Sequence, residues 1–313
     1  MPYVLRRLTA ACFILVGVSL LVFVAVRLIP GDPAAVLAGA DTTSEQIEQI
    51  RRDLGLDRPI WVQYVRYVRR ALEGDLGRSI HSRQPVAQEI LGRFPATLEL
   101  TLASLLIASI VGIAIGVLSA VRQYSLLDHI TMVGALAGIS MPVFLIGILL
   151  VWFFSLYLGW LPTGGRPECW ACADRVIHLI LPTLTLAGIS VGMIARLTRA
   201  TMLEVIREDF NRTARAKGLS ERAVIWRHAL RNALIPVVTF LGLQFGVLLG
   251  GAVVTETIFS WPGMGRLVVE AIGSRDYPVI QGTVLFMAIL FVLINLAVDL
   301  LYGVLDPRVR TAR

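Results

Sequence analysis

The sequence predicts an all-α membrane protein with six transmembrane helices, and its composition and the layout of its apolar residues lead to this fold class. Of the 313 residues, 56% are hydrophobic and 16% are charged, whereas a soluble domain carries roughly 25% charged residues. Residues 100–121 and 130–160 contain no Asp, Glu, Lys or Arg. Because about 20 apolar residues cross the hydrocarbon layer as a helix, uninterrupted blocks of this length predict membrane spans.

Six apolar segments are long enough to span a membrane. They cover residues 8–28, 98–121, 130–158, 176–195, 233–255 and 279–301. Pro142 and Pro182 lie inside the third and fourth segments, and we expect a kink at each because proline lacks the amide hydrogen and clashes with the preceding turn. The first segment follows Arg6 and Arg7 as a signal peptide would. Its apolar stretch is too long for a signal and no small-residue cleavage site follows it, so we expect it to stay as an anchor.

The distribution of basic residues predicts that both termini face the cytoplasm. With a cytoplasmic N-terminus, the inner segments carry Arg6, Arg7, Arg122, the cluster between residues 196 and 231, and Arg308, Arg310 and Arg313. The short outer loops carry Arg166, Arg175, Arg266 and Arg275. Since basic residues in short loops stay on the cytoplasmic side, the net charge of +7 is interpreted as a cytoplasmic excess and not as a nucleic-acid-binding surface.

These spans divide the chain into four predicted parts. An N-terminal transmembrane helix covers residues 1–29, an extracytoplasmic helical segment covers 30–97, a core membrane domain covers 98–305 with a cytoplasmic loop at 196–232, and a cytoplasmic tail covers 306–313. Within the spans, glycines recur four residues apart, at positions 112 and 116, 134 and 138, 188 and 192, and 242, 246 and 250. This spacing predicts close helix packing, because small residues let helix backbones approach in lipid.

The extracytoplasmic segment is predicted to hold two helices. Thr42 followed by Glu45 is typical of a helix start, and Gly55 can end that helix in a left-handed turn. The second helix is predicted from Pro59 to Leu72. One of its faces carries Trp61, Tyr64, Val65, Val68 and Leu72, and its arginines Arg66, Arg69 and Arg70 lie elsewhere. It could lie at the membrane surface, cap the ends of the spans or touch an external partner, and the sequence does not choose among these.

The sequence lacks the residue patterns of an enzyme. A P-loop needs Gly-x-x-x-x-Gly-Lys-Ser/Thr, and the one lysine, Lys217, lies in no such loop. The four histidines, His81, His129, His178 and His228, are far apart in sequence. Cys169 and Cys172 are two ligands where a structural zinc site needs four, so a local disulfide, a redox role or incidental cysteines stay open. We therefore predict a non-catalytic chain that binds no metal or cofactor.

The spans also lack the charges that ion-coupled carriers place in mid-membrane. Arg27, Glu99, Glu256 and Asp299 lie toward span ends, so we expect a partner to supply energy. The loop between the fourth and fifth spans has a helical pattern up to Lys217, Gly218 can make the left-handed turn that ends it, and Ser220 can cap the next helix. This helix–turn–helix is a candidate docking site, and the alternative is a basic loop lying on lipid headgroups.

Several stretches resemble the permeases of binding-protein-dependent ATP-binding-cassette importers, most of all the first permease subunit of the dipeptide/oligopeptide branch. Arg-Thr-Ala-Arg-Ala-Lys-Gly at 212–218, followed by His-Ala-Leu-Arg-Asn-Ala-Leu-Ile-Pro at 228–236, is similar to the "EAA" loop of that family. Arg212 and Thr213 depart from its first two residues, and Pro236 comes several residues late. Residues 28–33, 74–79, 94–99 and 256–265 also match that branch, so the resemblance covers nearly the whole chain.

The resemblance implies a type I importer permease in the bacterial plasma membrane that carries dipeptides or oligopeptides. It implies a second, similar permease, two ATPase subunits that bind ATP and Mg, and an extracytoplasmic substrate-binding protein. ATP binding would draw the coupling helices together and open the permease outward, and hydrolysis would reset it. The matching coupling-helix residues are Asp209, Phe210, Arg212, Thr213, Ala214, Arg215, Lys217, Gly218 and Leu219.

Two further groups of residues are candidate sites. Gln244 and Asn295 are polar residues within spans, and they either face the translocation path or form interhelical hydrogen bonds. Glu256, Phe259, Pro262 and Gly263 form an outer turn that is either a gate or binding-protein contact, or a cap on the helix bundle. Nickel and glutathione importers use very similar permeases and stay open as alternatives, as does a self-contained channel or secondary carrier. A membrane anchor of a redox complex is disfavoured because paired histidines and a cysteine cluster are missing from the sequence.

Overall fold

The computed structural model describes residues 2–28, 43–55, 57–168 and 172–305. Within these ranges the chain is almost entirely helical, and its extended pairing is an isolated bridge between Arg78 and Pro85. The described helices are α1 (Pro2–Leu28), α2 (Ser44–Leu54), α3 (Ile60–Leu72), α4 (Val86–Val121), α5 (Leu126–Ser140), α6 (Val143–Leu150, continued by a π-helix at Val151–Tyr157), α7 (Ala173–Ile206), α8 (Asp209–Ala216), α9 (Glu221–Ala223, then a π-helix at Val224–Ala229, then Leu230–Gly251), α10 (Val253–Ile258), α11 (Met264–Ser274) and α12 (Tyr277–Leu305).

Five helices among the described residues are long and apolar enough to cross a membrane. They run over Arg7–Leu28, Val86–Val121, Ala173–Ile206, Glu221–Gly250 and Tyr277–Asp299. The sixth predicted span is the pair α5 and α6, which is bent by 106°. The all-helical membrane class is therefore confirmed, with five spanning helices, or six if α5 and α6 together form one broken span and not a re-entrant loop.

The predicted kink at Pro142 is a full break. Met141, the residue before the proline, has φ −81° and ψ 132° and is extended, because the proline ring excludes the helical conformation from its predecessor. Pro142 then begins the next helix as its N-cap. Pro182 behaves differently, since α7 continues through it from Ala173 to Ile206.

The start of α2 lies one residue later than the sequence predicted. Its N-cap is Thr43, whose backbone amide donates to Gln46 Oε1 at 3.2 Å, so Gln46 takes the place expected for Glu45, and Thr42 lies outside the described residues. The end of α2 is as predicted, because Gly55 has φ +67°. The expected helix from Pro59 to Leu72 is α3, with Pro59 as N-cap. Cys12 is a free, exposed cysteine, Cys172 is disulfide-bonded, and Cys169 lies outside the described residues.

The chain packs as two compact units. The first contains residues up to 96 together with 262–293, and the second contains residues 97–261 together with the segment from 294 onward. This division follows packing, whereas the four-part division at residues 29, 97 and 305 follows the sides of the membrane. The four-part division stays a prediction.

The first unit is held by an apolar core and a buried carboxylate. Val86, Ile90 and Met264 are buried in this core together with parts of α1, α11 and α12. Asp276, which is 3% exposed, accepts hydrogen bonds from Ser79 Oγ at 2.5 Å and from the Ile80 amide at 3.0 Å. Because a buried carboxylate is costly unless its oxygens are satisfied, these bonds fix the loop around residue 80 to the start of α12.

The second unit is built around α7, which contacts α5, α6, α9 and α10. Close backbone approach confirms part of the glycine pattern. A Cβ added at Gly116 would lie 2.6 Å from the Ala195 carbonyl oxygen, and one at Gly192 would lie 2.5 Å from the Ala135 carbonyl oxygen. A Cβ added at Gly134 or Gly250 would have no neighbour within 4 Å. Gly112, Gly116 and Gly192 therefore serve close helix packing within the chain, and Gly134 and Gly250 do not.

Candidate functional site

The loop predicted to dock a partner forms a short helix, α8, anchored to the end of α7. Asn211 is fully buried, and its Nδ2 donates to the Val205 carbonyl oxygen at 2.7 Å. Ala214, one turn later on the same face, is also buried. An eight-residue helix is too short to be stable alone in water, so these two contacts to the rest of the chain hold α8 in place.

The opposite face of α8 is exposed and carries most of the predicted coupling residues. The exposed members are Asp209, Phe210, Arg212, Thr213, Lys217, Gly218 and Leu219. Phe210 and Leu219 are each 42% exposed, and Arg212 pairs with Asp209 at 3.3 Å on the surface. The result is a rigid projection with two apolar side chains among charged ones, which is the composition of a protein-binding surface.

The turn after α8 has the geometry that the sequence predicted. Gly218 has φ +79°, its amide donates to the Arg215 carbonyl at 2.9 Å, and the Leu219 amide donates to the Ala214 carbonyl at 3.3 Å. These two bonds form the Schellman motif that ends helices at a left-handed glycine. Ser220 is the N-cap of α9, as expected, although its side chain makes no capping bond.

Arg215 ties α8 to the start of α9. Its Nε and Nη2 donate to the two carboxylate oxygens of Glu221 at 3.0 and 2.8 Å, and this bidentate contact raises the pKa of the Arg215 guanidinium. The resemblance placed Arg215 among the coupling-helix residues, and here its guanidinium is engaged within the chain. As a half-exposed surface pair it contributes about 0–1 kcal/mol and mainly fixes the angle between the two helices.

A buried ion pair that sequence reasoning missed lies beside this loop. Asp128, 3% exposed, accepts from Arg199 Nε and Nη2, both at 2.7 Å. Ser119 Oγ and the Tyr124 amide donate to the same carboxylate. The bonds join α4, α5 and α7 two turns before α7 ends. The signal in the sequence was an aspartate next to a span, but its partner stood among many arginines and could not be picked out.

A second cluster lies at the other end of these helices, around Glu99. Its carboxylate accepts from Arg175 Nε at 2.7 Å and Nη2 at 2.6 Å, and from Arg166 Nε at 3.0 Å. The loop that carries Arg166 is further fixed where the Gly165 amide donates to the Phe259 carbonyl oxygen at 2.7 Å. A cleft of about 600 Å³ lies between this loop and the π-helix of α6, and its polar side chains are Thr163 and Ser260.

Three of the four predicted outer-turn residues are buried, and the fourth, Pro262, is half-buried. Glu256 and Phe259 are fully buried, and Glu256 Oε1 accepts from Thr97 Oγ1 at 2.6 Å. Pro262 and Gly263 belong to the first unit, where the Gly263 carbonyl accepts the Leu267 amide at 3.1 Å and starts α11. Burial of this kind is what a structural cap requires, and a contact with another protein would need these side chains at the surface.

The two candidate pathway residues lie on different helices. Gln244 on α9 donates to Ser190 Oγ of α7 at 2.9 Å, which is the interhelical hydrogen bond left open as its alternative role. Asn295 is half-buried on α12. The helices α9 and α12 approach closely beside them, since a Cβ at Gly242 would lie 2.5 Å from Val298. In the part of the chain that the structure describes, no group of three His, Cys, Asp or Glu residues could hold a metal ion.

Comparison with known protein families decides the class. The family described as "Binding-protein-dependent transport system inner membrane component" matches residues 112–311, and the N-terminal part of the same membrane component matches residues 1–101. The chain belongs to this family. It is therefore a multi-pass inner-membrane permease subunit of an ATP-binding-cassette importer.

Relatives support this assignment over nearly the whole length of the permease. It is 49% identical over 308 residues to the glutathione transport system permease protein GsiC of Escherichia coli O6:H1, covering 98% of each chain. It is also 49% identical over 308 residues to GsiC of Salmonella paratyphi A, again with 98% of each chain covered.

Solved structures support the fold. An amino acid ABC transporter with histidines matches with a TM-score of 0.52 at 17% identity, over 71% of this chain and 94% of the other. The inward-facing MetNI methionine ABC transporter matches with a TM-score of 0.53 at 17% identity, over 69% and 96%. At this identity the likeness concerns the fold alone.

Proposed function

We propose that this permease passes small peptides across the bacterial inner membrane and that α8 is the helix on which a partner ATPase acts. In this proposal the chain hydrolyses nothing and binds no cofactor, while ATP and Mg are bound by two separate ATPase subunits. A second permease completes the pathway, and a substrate-binding protein delivers the cargo from outside. The observation that carries the proposal is the exposed, anchored surface of α8.

The shape of α8 fits the transmission of force from a partner. Phe210 on α8 and Leu219 in the turn after it are both exposed, and the inner face of α8 is fixed by Asn211 and Ala214. A partner that binds these two apolar side chains and moves therefore displaces the end of α7, because the Asn211 side chain is hydrogen-bonded to the Val205 carbonyl. A flexible basic loop on lipid headgroups would need neither the buried anchor nor the ordered turn at Gly218.

Movement of α7 would be passed on to its neighbours. Gly112 and Gly116 bring α4 against α7 at backbone distance, and Gly192 does the same for α5. The Asp128–Arg199 pair adds a bidentate bond between α5 and α7. Interfaces as tightly packed as these transmit a displacement because their side chains have little room to rearrange.

The proposed cargo class rests on the relatives. GsiC is named for glutathione, which is itself a tripeptide, and the sequence resembles permeases of the dipeptide/oligopeptide branch. The class of small peptides with free carboxylates therefore includes both glutathione and the dipeptides or oligopeptides. Nickel is the alternative cargo within the same family.

The first experiment is to tag this chain, extract it gently from its native membrane, and identify the co-purifying chains. We expect a second multi-pass permease and a chain bearing a P-loop. The complex, reconstituted with its binding protein, should then show ATP hydrolysis stimulated by dipeptide, oligopeptide or glutathione. Stimulation by Ni²⁺ alone would overturn the peptide assignment. Recovery of the chain alone or as a homo-oligomer would overturn ATPase coupling and favour a self-contained channel or carrier.

A further inference from the structure

Helix α3 crosses α1 within the part of α1 that is apolar enough to span a membrane. Tyr64 Oη lies 2.8 Å from Ser19 Oγ. The ring of Phe23 contacts the rings of Tyr64 and Tyr67, with centroids 5.2 and 5.9 Å apart. Arg27 Nη2 donates to Gln63 Oε1 at 2.8 Å. These contacts fix the level of α3 along α1.

That level lies within the last turns of the apolar part of α1. The apolar helix extends over Arg7–Leu28, and a helix rises about 1.5 Å per residue, so Phe23 lies about 7 Å along the axis from its end. Burial raises the pKa of the Tyr67 hydroxyl to about 12, in keeping with a poorly hydrated contact. A helix held here lies beside the membrane surface at which α1 ends.

The side of α3 that faces away from α1 carries an apolar stripe and, beside it, a group of arginines. Trp61, Val65 and Leu72 are 69%, 59% and 84% exposed, and their spacing places them in one stripe of the helix. The arginines Arg66, Arg69 and Arg70 lie outside this stripe. A helix with a separate apolar stripe and a basic face is the type that lies in the plane of a membrane surface.

Apolar side chains are also exposed on α1 near its crossing with α3. Leu20, Leu21 and Val24 are exposed at the level where α3 crosses α1. As part of a membrane span, these side chains contact acyl chains. The crossing of α3 therefore lies at a level where α1 itself faces lipid.

We propose that α3 is an interfacial helix whose Trp61–Val65–Leu72 stripe inserts into the lipid leaflet in which α1 ends, with its exposed arginines Arg69 and Arg70 reaching the lipid phosphates. Such helices bury their apolar face about 5–10 Å below the headgroups, which agrees with the crossing at Phe23. Arginine suits the phosphate contact because its guanidinium binds phosphate bidentately. Insertion would hold α3 at a set depth in that leaflet.

The observations favour lipid over the two other roles considered for this helix. A cap over span ends would face its apolar residues toward the protein, whereas this stripe faces outward. A water-soluble external partner would give the stripe no reason to lie at the depth of the hydrocarbon. Lipid explains the depth, the stripe and the arginines together.

The test is a spin-label accessibility measurement on the full transporter reconstituted in lipid nanodiscs. Single cysteines replace Val65 or Leu72 in a Cys12→Ser background, which removes the free, exposed cysteine. The spin label is attached to these variants without reductant. Collision rates with O₂, which concentrates in hydrocarbon, and with a water-soluble nickel chelate are compared. Phe13→Cys on α1 is the lipid reference, and Arg69→Cys is the matched control on α3.

We expect labels at Val65 and Leu72 to collide with O₂ several times more often than with the chelate, as at Phe13. The label at Arg69 should show the reverse order. A high chelate rate at Val65 and Leu72 would place the stripe in water and overturn the proposal. Low rates with both reagents would place it against a protein partner and would overturn the proposal equally.

Discussion

At the scale of single residues, Asn211 shows how a buried polar side chain can position a docking helix. Its amide donates to the carbonyl of Val205 in the last turn of α7, and the Glu208 backbone amide donates to the same carbonyl at 3.1 Å. Its Oδ1 is buried without a hydrogen-bond partner, so the bond that Nδ2 donates is the one that positions the side chain. Sequence reasoning selected the residues on either side of Asn211 and passed over it, because a buried position in a polar loop has no distinct pattern.

We predict that Asn211→Asp impairs coupling. The carboxylate keeps the size of the amide but replaces the donor with a buried acceptor facing a carbonyl, which costs about 1–3 kcal/mol. Substrate-stimulated ATP hydrolysis of the reconstituted complex should fall by about tenfold. Asn232→Asp is the matched control, because Asn232 makes the same kind of bond to the His228 carbonyl on an exposed surface. Equal losses in both variants would show that the anchor has no special role.

Gly218 supports a second prediction at this scale. Gly218→Val should uncouple ATP hydrolysis from uptake, because a β-branched residue at φ +79° strains the turn by about 1–3 kcal/mol. Gly74 has φ +82° and, like Gly218, no neighbour within 4 Å, so Gly74→Val applies similar strain outside the loop. Asn tolerates the left-handed region, and Gly218→Asn should retain most uptake. Normal uptake by Gly218→Val would count against α8 as the coupling helix.

At the scale of helices, the glycine pattern separates into positions that touch a neighbour and positions that do not. Gly116 lies against the Ala195 carbonyl, and Gly134 faces open space. The two share the same spacing motif and differ in surroundings, which the sequence does not reveal.

This difference predicts that a glycine-to-alanine substitution changes thermal stability in opposite directions at the two positions. Gly116→Ala should lower the thermal stability of the purified chain, because a Cβ 2.6 Å from a backbone oxygen forces α4 and α7 apart at a cost of about 1–3 kcal/mol. Gly134→Ala should leave stability unchanged or raise it, since alanine favours a helix by up to about 1 kcal/mol. Melting curves in one detergent compare the two variants directly, and a stable Gly116→Ala would contradict the close contact.

How far the sequence determines the helices depends on the range of the interactions. The spans and the turn at Gly218 follow from local apolar content and from one residue's backbone preference, and they were predicted. The Asp128–Arg199 pair joins residues on different helices, so its formation depends on how α5 packs against α7. The early start of α4 at Val86 also escaped prediction, because its first turns mix apolar with polar residues and their apolar side chains pack inside the first unit.

At the scale of the whole molecule, the proposed orientation determines which surfaces meet which partners. The exposed face of α8 should lie in the cytoplasm, and the loop of Arg166 should lie outside. The sidedness rests on the basic residues of the short loops.

We predict that a membrane-impermeant maleimide applied to intact cells labels a cysteine at Glu168 and spares one at Arg212, both in the Cys12→Ser background. Both positions are exposed, so the difference reports the side of the membrane. Inside-out vesicles without ATPase subunits should reverse the pattern. Labelling of Arg212→Cys from outside would invert the proposed topology and remove α8 as an ATPase docking site.

The break between α5 and α6 restricts what can surround this part of the chain. Pro142 carries no amide hydrogen, so the Gly138 carbonyl loses its helical donor, and Ser140 and Pro142 are exposed. Acyl chains offer no hydrogen bonds, and an unsatisfied peptide group in them costs several kcal/mol. If this bent segment lies at membrane depth, its neighbour at the break is therefore water or another polypeptide. At that depth, the proline thus marks a position where water or a second chain replaces acyl chains around the helix.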